Sequence, residues 1–322
     1  MVINILQWNI RGFTNNYTNL QILISERKPD IICLQETKCR SDFTPFIPRD
    51  YIGYFRNPNF TSKQGTAILI KKHIPHNIIN TNPSLNLVGL QIKSSLSFAI
   101  FSFYSPPIDL IPISDLNNTI ANINTPIIMT GDFNAWSPLW GSPNSNNKGT
   151  AIENLLLNSN LSVLNDGTPT HFSTHNTFSH IDLTISSLSI VPMCRWQVIE
   201  DLHNSDHYPI LTQVQTNSQY PQTKLSKFNI KKANWVTYQN KIFQFNQHFS
   251  TSLNVNKEAA SIRNIIKLSA NESIPISSNK KRTKTVPWWS NEIQILRNRK
   301  QESWREFRRN MSTDNLIIYK KK

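Results

Sequence analysis

The stretch PIIMTGDFNAWSPLWGS, residues 126–142, joins a buried strand to polar side chains at its end. The apolar run reaches Met129 and stops at Gly131, and Asp132 and Asn134 follow two positions apart. Alternate residues of an extended chain point to the same side. We therefore expect this strand to present a carboxylate and an amide together, as the floor of an active site would.

Further apolar runs also end on polar side chains. Taken singly, each has an ordinary explanation as a turn, a cap or a surface pair. Taken together, they offer the hard oxygen ligands that Mg²⁺ prefers, with a general base and donors for a phosphate, as metal-assisted phosphodiester hydrolysis requires. The side chains are Asn9, Glu36, Tyr104, Asp182, Asp206 and His207, in the motifs QWN, LQET, YSPP, SHID and SDH.

The composition points to a soluble intracellular chain. Three cysteines without a CxxC motif indicate a reducing compartment. The N-terminus lacks the pattern of a signal peptide, and no apolar run approaches the ~20 residues of a membrane span. The length suits one large domain with an appendage, or two ordinary domains.

Positive charge is concentrated in the last third of the chain. Residues 1–220 hold 13 Lys/Arg and 14 Asp/Glu, whereas residues 221–322 hold 21 and 6. A solvated basic surface is the ordinary explanation of such an excess. Because aromatic residues lie among the basic ones, we favour a polyanion partner, and nucleic acid above all. The change in composition predicts a domain boundary near residue 221.

The hydrophobic pattern predicts two different architectures on either side of this boundary. Residues 1–220 contain about ten strand patterns and few helices, which is typical of two packed sheets with helices outside. One helix is expected over residues 19–30, ended by Pro29, and another over 149–160. Helices are also expected over residues 234–249, 259–274 and 288–310. In the last, an apolar stripe predicts ordinary packing: Trp289, Ile293, Leu296, Trp304 and Phe307.

The ordered motifs QWN, LQET, YSPP, GDFN, SHID and SDH resemble the endonuclease/exonuclease/phosphatase superfamily, which includes abasic-site endonucleases and DNase I. More narrowly, GDFNAWSPLWGS, LNDGTPTHF, SHIDLTISS and SDHYPI resemble the endonuclease of jockey-type non-LTR retrotransposons. The resemblance covers about residues 1–215. The segment VPWWSNEI is similar to the connection between endonuclease and reverse transcriptase in those polyproteins.

This resemblance implies an α/β fold, a four-layer sandwich of two packed β-sheets flanked by helices, with a basic helical C-terminal extension. Residues 1–220 would form the endonuclease domain, and 221–322 a mostly helical linker toward a missing reverse transcriptase. The implied activity is Mg²⁺-dependent nicking of one DNA strand, which leaves a 3′-hydroxyl to prime reverse transcription. Such an enzyme acts in the nucleus, and its basic segment is expected to contact element RNA.

The resemblance also implies a metal site. Glu36 would be the principal Mg²⁺ ligand, with Asn9 beside it and Asp206 near the metal. Mn²⁺ is expected to substitute for Mg²⁺, and the motifs leave open whether one or two ions act.

The remaining motif residues would handle water and phosphate. Asp132 would orient or deprotonate the attacking water, Asn134 would hold the scissile phosphate, and Tyr104 would contact the same phosphate. His207, held by Asp182, would donate to the phosphoryl oxygens as charge develops.

Two features depart from the wider superfamily. Abasic-site endonucleases typically have an acidic residue at the position of Arg11, so efficient abasic repair is not expected. The chain also contains no Asp-Asp pair, so the polymerase metal box is absent, as in a fragment or a truncated copy. Two alternatives stay open: an inactive remnant that only binds nucleic acid, and a lipid phosphatase or sphingomyelinase of the same superfamily. The intact set of polar residues argues against decay.

Overall fold

The computed structural model describes residues 2–39, 45–56, 64–216, 228–247, 255–275 and 290–321. The chain divides into two compact units, one formed by Met1–Ser218 with Lys284–Lys322 and the other by Gln219–Thr283. Among the described residues, no helix is both long and apolar enough to span a bilayer. The expected boundary near 221 lies outside the described ranges, and residues 284–322 belong to the first unit.

The described part of the first unit is built mainly of strands. They are β1 (Val2–Asn9), β2 (Ile31–Gln35), β3 (Tyr51–Arg56), β4 (Thr66–Lys71), β5 (His76–Ile79), β6 (Leu87–Ile92), β7 (Phe98–Tyr104), β8 (Ile127–Asp132), β9 (Leu161–Val163), β10 (His171–Phe172), β11 (Phe178–Ser179), β12 (Asp182–Ser187), β13 (Cys194–Val198) and β14 (Ile210–Gln215).

Helices flank these strands and make up most of the described second unit. The helices in chain order are α1 (Phe13–Arg27), α2 (Ile113–Ala121), α3 (Asn147–Leu157), α4 (Trp235–Asn246), α5 (Val255–Ser273), α6 (Asn291–Arg309) and α7 (Thr313–Lys321). Helices α4 and α5 lie in the second unit. The three helices expected after the boundary correspond to α4, α5 and α6, and α7 had no prediction.

Two six-stranded sheets pack face to face, in the orders β13-β14-β1-β2-β4-β3 and β5-β6-β7-β8-β12-β9. The apolar layer between them contains buried side chains from both sheets, such as Ile5 and Ile68 from one and Ile100 and Ile128 from the other. Burying each such side chain stabilises the fold by about 1.5–3 kcal/mol. One further cluster packs α1 on the first sheet, and another packs α2 and α3 on the second. The expected four-layer sandwich is therefore confirmed.

Strand register brings the predicted polar residues to the same end of each sheet. Strands β1 and β2 are parallel, so Asn9 lies beside Gln35, the residue before Glu36. Strands β7 and β8 are parallel as well, and Tyr104 pairs with Asp132. Antiparallel β12 begins opposite the same aspartate. The polar ends of these strands therefore meet at one end of the sandwich.

Helix α1 begins six residues before its expected start. The sequence between the observed and the expected start is rich in polar residues of modest helix propensity. Burial explains the early start of the helix, because Phe13 is 2 % exposed and Asn16 is 3 % exposed. The Asn16 side chain also donates to the backbone carbonyl of Ile10 at 2.7 Å. Tertiary contacts thus extend the helix beyond its propensity.

Helix α6 packs on the sandwich through aromatic side chains. Trp304 and Phe307 are buried, so packing is confirmed for this half of the predicted stripe. Ile293 and Leu296 remain 36 % and 59 % exposed, and Trp289 lies outside the described residues. The residues of the sandwich in this cluster are Phe172, Leu202 and Tyr208.

Ion pairs fasten the same helix to the sandwich. Arg297 pairs with Glu26 on α1 and lies 3.3 Å from Asp201. Arg308 lies 3.1 Å from Glu200. Pairs of this partly exposed kind contribute little each, so the aromatic cluster carries most of the stability of this packing.

We expect Trp304→Ala to lower the free energy of unfolding of the first unit by about 3 kcal/mol, since it removes a buried aromatic ring. Urea unfolding followed by circular dichroism measures the effect. Trp136, half-exposed between β8 and α3 in the same unit, provides the matched control, and its replacement by Ala should change the free energy by less than about 1 kcal/mol. Equal losses in the two variants would contradict the packing described for α6.

Candidate active site

A cluster of acidic and amide side chains lies where β1, β2 and β8 end. The amide nitrogen of Asn9 donates to Glu36 Oε1 at 3.2 Å and to Asp132 Oδ2 at 3.0 Å. The Tyr104 hydroxyl donates to the same Glu36 oxygen at 3.1 Å. Glu36 has a φ of 47°, in the left-handed region, so the chain turns sharply at this side chain. The structure thus brings four predicted residues together.

Burial raises the pKa of two side chains in this cluster. It raises the pKa of the Asp132 carboxyl to about 7, although the His207 charge opposes the shift. Burial also raises the pKa of Tyr104, and the charges of Glu36 and Asp132 add to the effect. Tyr104 therefore remains a neutral phenol that donates a hydrogen bond, and Asp132 holds a proton more readily than an exposed carboxyl does.

A histidine–aspartate pair faces the same cluster. His207 Nδ1 donates to Asp182 Oδ2 at 2.8 Å, which confirms the expected contact. The Nε2 atom of His207 lies 3.3 Å from Asn9 Nδ2 and 3.9 Å from Asp132 Oδ2. Burial alone would lower the pKa of His207, but Asp182 and the neighbouring carboxylates outweigh it and raise the pKa to about 10. The imidazole is therefore a cation at neutral pH.

Asn134 lies beside the cluster in a strained turn, with a φ of 48°. Its backbone N–H donates to Asp132 Oδ1, and its side-chain amide donates to the Ser105 carbonyl, both at 3.1 Å. An amide carries two N–H donors, and Ser105 engages one of them. Asn134 can thus offer the second to a ligand at the site.

A buried lysine supports the same loop. Lys148 is 5 % exposed, and its Nζ donates to the Ser105 hydroxyl at 2.7 Å and to the Pro106 carbonyl. Desolvation lowers the pKa of this ammonium group, and the charge of Asp132 opposes the shift. Among the described residues its hydrogen bonds go to neutral oxygens, and burying a cation on such partners is costly, so the position is a candidate for function.

Asp206 has a different environment from the other predicted metal ligands. Its carboxylate forms an ion pair with Arg11 at 2.7 Å. Among the described residues, no hydrogen bond joins Asp206 to Glu36 or Asn9. Asp206 instead shares its surroundings with His171 and His207, with which it forms a group of closely spaced donor atoms.

Glu36, Asn9 and Asp132 fit a divalent cation by the chemistry of their donors. Carboxylate and amide oxygens are the ligands that Mg²⁺ prefers, and two carboxylates here share one amide donor. Asn9 Oδ1 accepts from the backbone N–H of Arg11 at 3.2 Å. A half-turn of this amide would present its oxygen to a cation held by Glu36.

Sequence reasoning missed three residues of the site. Gln7 donates to Asp182 Oδ1 at 3.0 Å and was signalled only by its place in the QWN motif. The His171 ring lies against the His207 ring at a tilt, with centroids 4.5 Å apart, and its signal was the PTHF segment. Lys148 gave no signal, because a single lysine near a helix start is ordinary.

Two curated relatives from Drosophila melanogaster are similar to this chain. The RNA-directed DNA polymerase from mobile element jockey is 28 % identical over 215 residues, which is 63 % of this chain and 23 % of the relative. The probable RNA-directed DNA polymerase from transposon X-element is 26 % identical over 250 residues, 75 % of this chain and 27 % of the relative. The matched region therefore spans about a quarter of each relative's length.

Solved structures share the fold. The endonuclease domain of TRAS1, a telomere-specific non-LTR retrotransposon, superimposes with a TM-score of 0.56 and 23 % identity, over 68 % of this chain and all of that one. An AP endonuclease from Leishmania major gives a TM-score of 0.56 and 14 % identity, over 66 % of this chain and 88 % of that one.

The model of one protein family matches residues 6–207, a range that includes the predicted residues from Asn9 to His207. This range also spans most of both sheets, from β1 to β13. The chain belongs to the Endonuclease/Exonuclease/phosphatase family.

Proposed function

We propose that the protein is a Mg²⁺-dependent endonuclease that nicks one DNA strand and leaves a 3′-hydroxyl, as in target-primed reverse transcription by a non-LTR retrotransposon. The observation that carries the proposal is the meeting of Asn9, Glu36 and Asp132 with the Asp182-bound imidazole of His207. The similarity to retrotransposon polymerases and to a retrotransposon endonuclease domain supports DNA as the substrate.

Each side chain has a defined task in this reaction. Glu36 and Asn9 would hold the Mg²⁺ ion, which supplies Lewis-acid stabilisation of the phosphate charge. Asp132 accepts a proton from the attacking water, a role that suits its raised pKa. Cationic His207 donates to the phosphoryl oxygens in the transition state. Asn134 offers its second N–H to the scissile phosphate.

Incubation of the full chain with supercoiled plasmid tests the proposal. With Mg²⁺ we expect conversion to the open-circular form, and EDTA should abolish it. Absence of nicking together with retained DNA binding would favour the inactive remnant, and would contradict the proposal. Lipid phosphodiesters and phosphoinositides assayed in parallel address the remaining alternative within the family.

Lys148 is expected to support catalysis through the Ser105–Pro106 loop. Lys148→Met keeps the length of the side chain but removes the ammonium group and its hydrogen bonds. We expect kcat to fall by roughly 10- to 100-fold, because the loop that positions Asn134 loses its anchor. Lys148→Arg should recover part of the activity, and plasmid nicking under saturating DNA measures both variants. Wild-type kcat in Lys148→Met would show that the lysine serves only folding.

Basic residues beyond 220 are proposed to supply sequence-independent affinity for DNA, and for element RNA in the same way. Arg299 and Arg305 are exposed on α6 and available for phosphate. Affinity falls as salt rises, and replacing both by Gln should make this fall less steep. The slope of log affinity against log salt should shrink in magnitude by roughly 1 to 2, at about 0.9 for each phosphate that the variant no longer binds. The measurement is a titration of one random duplex at several salt concentrations.

The matched control removes the same charge elsewhere. Lys72 and Lys93 are exposed at the end of the sandwich opposite the cluster, after the end of β4 and of β6. Their double replacement by Gln should leave the slope unchanged. Equal slopes in all three proteins would mean that α6 does not touch DNA.

A further inference from the structure

Two imidazoles near the active site share a geometry suited to metal binding. His171 Nδ1 is 2.8 Å from Ser179 Oγ, and His207 Nδ1 is 2.8 Å from Asp182 Oδ2. Histidines that bind metals commonly use one ring nitrogen for a hydrogen bond of this kind, which orients the ring. Each of these imidazoles therefore has Nδ1 fixed by a partner, which leaves Nε2 as the atom that would bind a metal. In His207 this atom lies 3.3 Å from Asn9 Nδ2, and a metal would have to displace its proton.

The backbone holds the two rings in place. Residues 171 and 207 form an isolated antiparallel β-bridge, and the ring centroids lie 4.5 Å apart with an angle of 52° between the planes. The Asp206 carboxylate completes the group, since one potential ligand atom from each of the three residues lies within 4.8 Å of the others. Two imidazole nitrogens and one carboxylate oxygen are the three protein ligands of a common type of open zinc site.

This group differs in chemistry from the Glu36–Asn9 set. Carboxylate and amide oxygens favour Mg²⁺, whereas imidazole nitrogen favours zinc and other late transition metals. Asp206 is paired with Arg11 and, among the described residues, makes no hydrogen bond to Glu36. The two sets of donors therefore select different ions although both adjoin His207.

We propose that His171, Asp206 and His207 form a second site, specific for Zn²⁺ or a similar late transition-metal ion, that inhibits the enzyme when occupied. The inhibition rests on the proposed function, because a metal on His207 removes the group that donates to the phosphate. Ions at this site do not compete with Mg²⁺ held by Glu36.

Direct binding tests the site without any reference to activity. Competition between the full chain and a chromogenic zinc indicator measures the Zn²⁺ affinity. We expect His171→Gln to weaken Zn²⁺ binding at least tenfold. His175, exposed between β10 and β11, provides the control, and His175→Gln should bind as the wild type does. Glu36→Gln should also retain the affinity, because Glu36 belongs to the other set. Wild-type affinity in His171→Gln would overturn the proposal.

A second measurement tests the inhibition. Zn²⁺ should inhibit plasmid nicking in saturating Mg²⁺, a tenfold rise in Mg²⁺ should not relieve it, and His171→Gln should require at least tenfold more Zn²⁺ for the same fractional inhibition. Relief by Mg²⁺ would mean that Zn²⁺ displaces the Glu36-bound ion, and would overturn the proposal. If the wild type does not nick DNA at all, the proposed function fails, while the binding measurement still decides whether the zinc site exists.

Discussion

We expect Glu36→Gln to lower Mg²⁺-dependent nicking by roughly 1,000-fold or more. The substitution keeps the size of the side chain but removes the charge that would hold the ion, and metal stabilisation of a phosphoryl transition state is worth several kcal/mol. Because the Glu36 side chain is 21 % exposed and lies at the end of a strand, the fold should be unaffected. Plasmid nicking measures the activity, and a Mg²⁺ titration measures the metal requirement. The midpoint of thermal unfolding measures the stability of the fold.

Glu153 on α3 provides a matched acidic control. It bonds Ser145 far along the chain from Glu36, and Glu153→Gln should nick DNA at the wild-type rate. If Glu36→Gln retained normal nicking with a normal Mg²⁺ requirement, Glu36 would not be the metal ligand, and the assignment of the site would be wrong.

We expect Asp182→Asn to reduce kcat by roughly 100- to 1,000-fold, comparable with the loss of one donor to a transition-state oxyanion. The substitution removes the carboxylate that raises the pKa of His207, so burial then lowers this pKa from its value of about 10. Because the reaction needs the protonated imidazole, activity in the variant should fall as the pH rises through the new, lower pKa. The wild type should keep a protonated His207 until the pH approaches 10.

The measurement is kcat for nicking between pH 6 and pH 9. The defect of Asp182→Asn should be larger at pH 9 than at pH 6, and Asp166→Asn, an exposed loop acid, should follow the wild-type profile. A defect of the same size at every pH would show that Asp182 acts only by orienting the ring. No defect at all would remove the dyad from the mechanism.

The polar residues at strand ends were predictable because their positions follow from local pattern. Apolar runs that stop at Asn9, Glu36 and Asp132 specify strands, and parallel pairing then brings their ends together. The sequence alone does not reveal which side chains bond to each other. Gln7 reaches Asp182 across 175 positions, and such a contact leaves no trace in any local window.

The position of α6 illustrates the same limit. Charge and composition grouped residues 221–322 into one extension, yet the described residues 290–321 belong to the same unit as the sandwich. Trp304 enters a cluster with Tyr208, which follows His207 directly, while Arg297 meets Glu26 across 271 positions. An apolar stripe on a helix predicts that it packs, but the partner depends on surfaces assembled from distant segments. The split into domains 1–220 and 221–322 therefore stays a proposal.

The chemistry of the nick tests the central proposal most directly. Plasmid nicked by the full chain in Mg²⁺ is offered to a DNA polymerase with labelled nucleotides, without any prior treatment of the ends. We predict immediate extension, because the proposed hydrolysis breaks the bond between phosphorus and the 3′ oxygen and so leaves a 3′-hydroxyl and a 5′-phosphate. Nicks that the polymerase extends only after a 3′-phosphatase has acted on them would contradict the account.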